Sequence, residues 1–129
     1  MNNELNEKLV SIINEYRFAS NDEKMDKCED VLKEMLKEDA PLLVSVYKSD
    51  DNQNIAVQLL TNQDGMQVIS MFTSEEESKK AWETATVELG LKSVLEAVRD
   101  SGTCYDGVVI NPFSDEISIY KSHLTRLFG

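Results

Sequence analysis

A chain of 129 residues with 24 acidic and 13 basic side chains, net charge -11, is long enough for one domain that buries roughly two-thirds of its unfolded surface. An apolar share of 41% argues against disorder, and the negative field repels nucleic-acid phosphates and anionic membrane surfaces alike. A basic protein or peptide is attracted instead, with an on-rate that falls as salt is added.

The opening residues, "MNNELNEKLVSIINEY", carry acids and no basic leader before an apolar run, so a secretory signal is not expected. No stretch approaches the ~20 apolar residues of a membrane span, and a cytoplasmic location is expected. Leu5, Leu9, Ile12, Ile13 and Tyr16 recur at helical spacing with Asn6, Glu7, Ser11 and Glu15 between them, the pattern of an amphipathic helix. Ser20-Asn21-Asp22-Glu23 has the order of a capping box and predicts a second helix, with Met25, Cys28, Val31, Leu32, Met35 and Leu36 on its apolar face. Cys28 is thereby a small core hydrophobe. Neither it nor Cys104 belongs to a Cys-x-x-Cys pair, so two reduced thiols are expected rather than a zinc or redox site.

Pro41 stops the second helix, and "LLVSVY" reads as a well-buried strand. "SDDNQN" is a loop by composition. Ile55, Val57 and Leu59 alternate with Ala56, Gln58 and Leu60, and Asn62-Gln63-Asp64-Gly65 turns the chain into a strand from Met66 to Phe72. Links this short predict three successive antiparallel strands. Ser74 then caps a helix with Glu75, Glu76 and Glu77 in its first turn, Lys79 and Lys80 as i,i+4 partners of Glu75 and Glu76, and Ala81, Trp82 and Ala85 on its packed side. Thr86 and Val87 favour a strand between Thr84 and Leu89, although the alternation there is too short to decide. After Gly90, the residues Leu91, Val94, Leu95 and Val98 define a helix that Ser101-Gly102 closes.

Val108, Val109 and Ile110 form a strand apolar on both faces, while Ile117 and Ile119 alternate with Glu116, Ser118 and Tyr120 on a half-exposed one. Between them Asn111 and Pro112 suit the first two places of a turn, Pro by its preset φ and Asn by a side chain that bonds the backbone ahead. Ser122 is placed to cap a final helix carrying Leu124, Leu127 and Phe128.

The segments "VLKEMLKEDAPLLVSVY", "VISMFTSEEE…AW" and "GVVINPFS…ISI…HLTRL" resemble, in matching order from Val31 to Leu127, the SseB N-terminal domain family, named for enhanced serine sensitivity. The matching positions are Leu42 to Tyr47, Phe72-Thr73-Ser74, Trp82 and Asn111-Pro112; each motif is short, and the set carries the likeness. The resemblance implies an α+β domain of the bacterial cytoplasm without an established activity or ligand, and it supports the strand from Thr84 to Leu89. Two departures stand out. Many such domains precede a second, C-terminal domain, whereas this chain ends at Gly129, and Phe113 replaces a frequent Gly.

Candidate chemistry is sparse. Cys104, Asp106 and His123 are the ingredients of a thiol nucleophile with a base and an orienting carboxylate, though His123 in a helix's first turn also suits a surface role. Glu75, Glu76 and Glu77 point about 100° apart on a helix and cannot all reach one metal ion. They also oppose phosphate at that helix start, and no Gly-rich loop offers a nucleotide site. Phe72-Thr73-Ser74 and Asn111-Pro112-Phe113 both end strands and, if neighbours, frame a peptide-binding edge or shallow pocket. Local structure is the competing role for the same residues.

The expected architecture is a single α+β domain over residues 1–129, with a helical pair at 4–38. The rest, 41–128, forms a mainly antiparallel sheet of five or six strands packed by helices. The expected function is a non-catalytic bacterial interaction domain for a protein or peptide partner, a basic one on the sign of the charge, with no cofactor, metal, nucleic acid or membrane. The alternatives are a small hydrolase or transferase using Cys104, and an immunity or chaperone-like protein for a basic toxin or secreted protein.

Overall fold

The computed structural model describes residues 4–48, 55–81, 85–102 and 104–128. The expected loop at 49–54 and the residues Trp82 and Thr84 lie outside them. Two helices open the chain, α1 (Glu4–Glu15) and α2 (Asn21–Glu38), as the apolar spacing predicts. Ser20 is extended and its Oγ accepts the Glu23 N–H at 3.2 Å, satisfying one of the free donors at the start of α2.

The sheet that follows comprises β1 (Pro41–Lys48), β2 (Ile55–Val57), β3 (Leu59–Thr61), β4 (Gln67–Phe72), β5 (Ala85–Gly90), β6 (Gly107–Ile110) and β7 (Ile117–Tyr120). These seven pieces fill six places. Strands β1 and β4 pair antiparallel at Leu43–Phe72 and Val44–Met71 and then diverge. The chain from Ile55 to Thr61 enters the gap, its first half pairing with β1 and its second half with β4, with the break at Gln58. Strand β5 lies antiparallel along the other edge of β1, and β6 runs parallel to β4 before turning back into antiparallel β7. The order β5-β1-(β2, β3)-β4-β6-β7 is an α+β architecture with one parallel pair among the described residues.

One face of this sheet carries Leu42, Val44, Ile69, Met71, Val108, Ile110, Ile117 and Ile119. It meets Leu5, Leu9 and Ile13 of α1, Met25, Cys28, Leu32 and Met35 of α2, and Leu91, Leu95 and Val98 of α4 (Leu91–Asp100). The last helix, α5 (Lys121–Phe128), adds Leu124 and Leu127. Helix α2 also closes the β7 edge: the Asn21 amide donates to the Ser118 carbonyl and accepts the Ser118 N–H, each at 2.9 Å, as a neighbouring strand would. Lys24 Nζ extends that seam to the Glu116 carbonyl at 3.0 Å.

Several local expectations are corrected. Helix α3 (Glu75–Ser78) is a single turn, so Ala85 belongs to β5 and Lys80 pairs with Glu77 at i,i+3, 3.2 Å, rather than with Glu76. The run through Thr86 and Val87 is a strand, as their branching favours. Helix α5 begins at Lys121, so Ser122 lies inside it; the Tyr120 N–H is capped instead by His123 Nδ1 at 3.0 Å. Helix α2 ends at Asp39, in the left-handed region at φ 49, two residues before Pro41.

Asp39 does more than end a helix. Its carboxylate accepts the Ser93 N–H at 3.2 Å and the Ser93 hydroxyl at 3.1 Å, supplying the cap that Gly90 lacks at the start of α4. A Cβ on Gly90 would stand 2.1 Å from Asp39 Oδ1, so the glycine makes room for the carboxylate. Gly90→Ala should therefore displace Asp39 and cost about 0.5–2 kcal/mol, the value of a lost cap. Asp39→Ala should cost a similar amount, and the double variant little more than either alone in urea unfolding. Additive losses would show that the two residues act separately.

Candidate functional site

The parallel pairing of β4 and β6 brings Phe72-Thr73-Ser74 and Asn111-Pro112-Phe113 side by side. Asn111 continues that pairing past the strands. Its N–H donates to the Met71 carbonyl at 2.9 Å, its Oδ1 accepts the Thr73 N–H at 3.0 Å, and its Nδ2 donates to Thr73 Oγ1 at 3.0 Å. The amide is thus turned sideways onto Thr73, rather than toward the backbone ahead as its turn position predicts. Asn111 is 2% exposed at φ 56, a conformation Asn tolerates better than most side chains. Ser114 N–H closes the turn on the Asn111 carbonyl at 3.1 Å, with Pro112 and Phe113 at its centre.

Phe113 then stacks on the buried Phe72 ring, centroids 6.4 Å apart and planes 12° from parallel. Ser74 caps α3 by accepting the Glu77 N–H at 3.2 Å. Ser114 Oγ donates to Glu77 Oε2 at 2.7 Å, and Lys80 Nζ reaches Glu77 Oε1 at 3.2 Å and Ser114 Oγ at 2.6 Å. The hairpin turn and the single-turn helix are therefore tied into one corner.

That corner forms one wall of a cleft of about 700 Å³ at the end of the sheet where β1 begins and β4 ends. Phe72, Thr73 and Ser74 line it; Asn111, Pro112 and Phe113 do not, and support the wall from the adjoining turn. The opposite wall is α1, through Asn6, Glu7, Val10, Ser11 and Asn14, and the start of β1 contributes Pro41, Leu42 and Leu43. Glu7, Glu75, Glu76, Glu77 and Glu88 give the lining five carboxylates and no Lys or Arg. Of these, Glu77 has the Lys80 ion pair; among the described residues the other four have none. Beside these carboxylates the lining has the half-buried apolar side chains Val10, Pro41 and Leu43, a combination that suits a ligand both cationic and partly apolar.

The α1 wall and Glu88 are not evident in the sequence. Asn6 reads as a polar residue between apolar ones, yet it is 8% exposed. The available signal is its spacing of three from Leu9 and seven from Ile13, which puts it on the border of the buried stripe.

Asp106 and His123, grouped with Cys104 by chemistry alone, are each bonded to the backbone. Asp106 Oδ2 accepts the Gln67 N–H at 2.8 Å; His123 Nδ1 holds Tyr120, and its Nε2 lies 3.8 Å from Asp22. Cys104 is exposed. Cys28 is fully buried, and burial pushes its thiol up to about 11, opposed in part by nearby Lys24. Among the described residues no group of three or more His, Cys, Asp or Glu is placed to hold a metal ion, and no helix is long and apolar enough to cross a membrane.

Fold and cleft together define an α+β domain with an acid-rimmed groove at one end of its sheet. The chain belongs to the SseB protein N-terminal domain family, which it matches over residues 17–124. No curated protein and no solved structure matches it.

Asn111→Ala should destabilise by about 1–3 kcal/mol, because the Thr73 amide loses its acceptor. Asn111→Gly should recover about 1 kcal/mol of that loss, since glycine adopts the positive φ freely; equal losses would remove backbone strain from the account. Alkylation of the folded protein should modify Cys104 promptly and Cys28 only on unfolding, and equal rates would contradict the packing of α2. The raised Cys28 pKa means that the native thiol holds its proton where the unfolded one releases it. Stability should therefore fall between pH 9 and about 11, and the advantage of the natural chain over Cys28→Ala should narrow across that window.

Proposed function

We propose that this chain is a non-catalytic interaction domain of the bacterial cytoplasm that binds a basic protein or peptide in the cleft between α1 and α3. The observation that carries the reading is the lining itself: five glutamates and no basic side chain, with the half-buried Val10, Pro41 and Leu43 among them. Rim carboxylates in water contribute little affinity individually but speed encounter with a cation, while the apolar side chains offer burial to residues beside it. The bonding of Asp106 and His123 to backbone groups favours a structural use of those side chains over catalysis. Immunity against a basic toxin, or chaperoning of a basic secreted protein, is one form of this same role.

The test is fluorescence anisotropy with a labelled Lys/Leu peptide and a Gln/Leu control, at low and high salt. The basic peptide should bind more tightly, weaken with salt, and lose most of its affinity to the Glu75→Lys, Glu76→Lys double variant at a temperature well below that variant's own thermal midpoint. Equal binding of the neutral control, or indifference to the charge reversal, would overturn the proposal.

A further inference from the structure

Two buried side-chain atoms lack a hydrogen-bond partner among the described residues, Ser70 Oγ and Asn6 Oδ1. Ser70 lies within β4 and is not part of the cleft lining. Asn6 is part of it, is 8% exposed, and is held by a single long bond from its Nδ2 to the Thr73 carbonyl at 3.4 Å. An amide oxygen buried without a donor destabilises the fold that contains it, and an apolar side chain of similar volume would avoid that loss. The unsatisfied acceptor sits beside Glu7 on the same wall, with Glu75 and Glu76 among the other lining residues.

Resting on the reading of the cleft given above, we propose that Asn6 is its specificity-determining residue, its Oδ1 accepting an N–H from one lysine or arginine side chain of the partner peptide. The division of labour follows from solvation. A buried carboxylate would carry a heavy desolvation cost, whereas a neutral amide oxygen remains in the wall uncharged and still accepts from a cation. The glutamates balance the charge from the rim. The aliphatic stem of the bound side chain lies along Val10 and Leu43, as long basic side chains lie on apolar surface. Oδ1 is screened from water in the free protein, so the proposed contact requires the first turn of α1 to move outward.

The experiment uses the full chain and three labelled peptides, identical except for a central Lys, Arg or norleucine in a Leu/Gln background that carries flanking lysines. The natural protein should prefer the Lys or Arg peptide over norleucine by about tenfold, the scale of one hydrogen bond to a charged group. Asn6→Leu should bring that preference to near unity while raising the thermal midpoint, and the residual, rim-driven binding should keep its salt dependence. Asn6→Ala reads the same loss without added bulk, and in the natural protein the Asn6 side-chain amide resonance should move on addition of the Lys or Arg peptide. Retention of the preference in both variants would overturn the role of Asn6 while leaving the cleft reading intact. Failure of all three peptides to bind the natural protein would remove the cleft reading itself. Spermidine competing as well as the Lys peptide would overturn a protein partner, because the recognised group would then be a free amine.

Discussion

Asn111 stands at the end of the one parallel pairing among the described residues, and the arrangement around it follows from its amide. Strands β4 and β6 end together, and a parallel pair that ends at the surface leaves backbone groups without neighbours. Asn111 supplies them: its backbone bonds Met71 and its side chain grips Thr73 from both sides. Thr73 is followed by the cap of α3, so the same contact fixes where that turn of helix begins. The Phe72–Phe113 stack and the Ser114–Glu77–Lys80 bonds then hold the corner as a unit.

From that corner the character of the cleft follows. A four-residue helix has little stability of its own and survives here through its Ser74 cap and its ties to the turn. It presents three glutamates to the groove, while Glu7 arrives from α1 and Glu88 from across β1. In a chain already at -11 this local excess adds repulsion. The groove thus combines three features that disfavour the isolated fold: clustered like charge, half-buried apolar side chains and a buried amide oxygen. On the proposed reading, one kind of occupant, a cationic segment with apolar neighbours, would relieve all three.

Much of the fold was legible in the sequence because period and punctuation agree over long elements. Both opening helices, the Ser20 cap, the hairpin through Asn62–Gly65, the buried β6 and the alternating β7 all follow from apolar spacing and turn residues. The failures share a cause: side chains that act across the fold. Asp39 caps a helix more than fifty residues away, and Asn111 bonds Thr73 rather than its own turn. Nothing local distinguishes these uses from the usual ones. The site was half visible for the same reason, since Phe72-Thr73-Ser74 ends a recognisable strand whereas Asn6 and Glu88 join the cleft only through tertiary packing.

Mapping amide shifts of the ¹⁵N-labelled chain during titration with the Lys/Leu peptide tests the central claim most directly, because it locates the contact without altering a residue. A partner seated in the cleft predicts saturable shifts confined to the first turns of α1, the start of β1 and Thr73 to Glu77, with the Asn111 amide moving as part of the same corner. Shifts centred on Cys104 and His123, or scattered over every acidic surface, would contradict it.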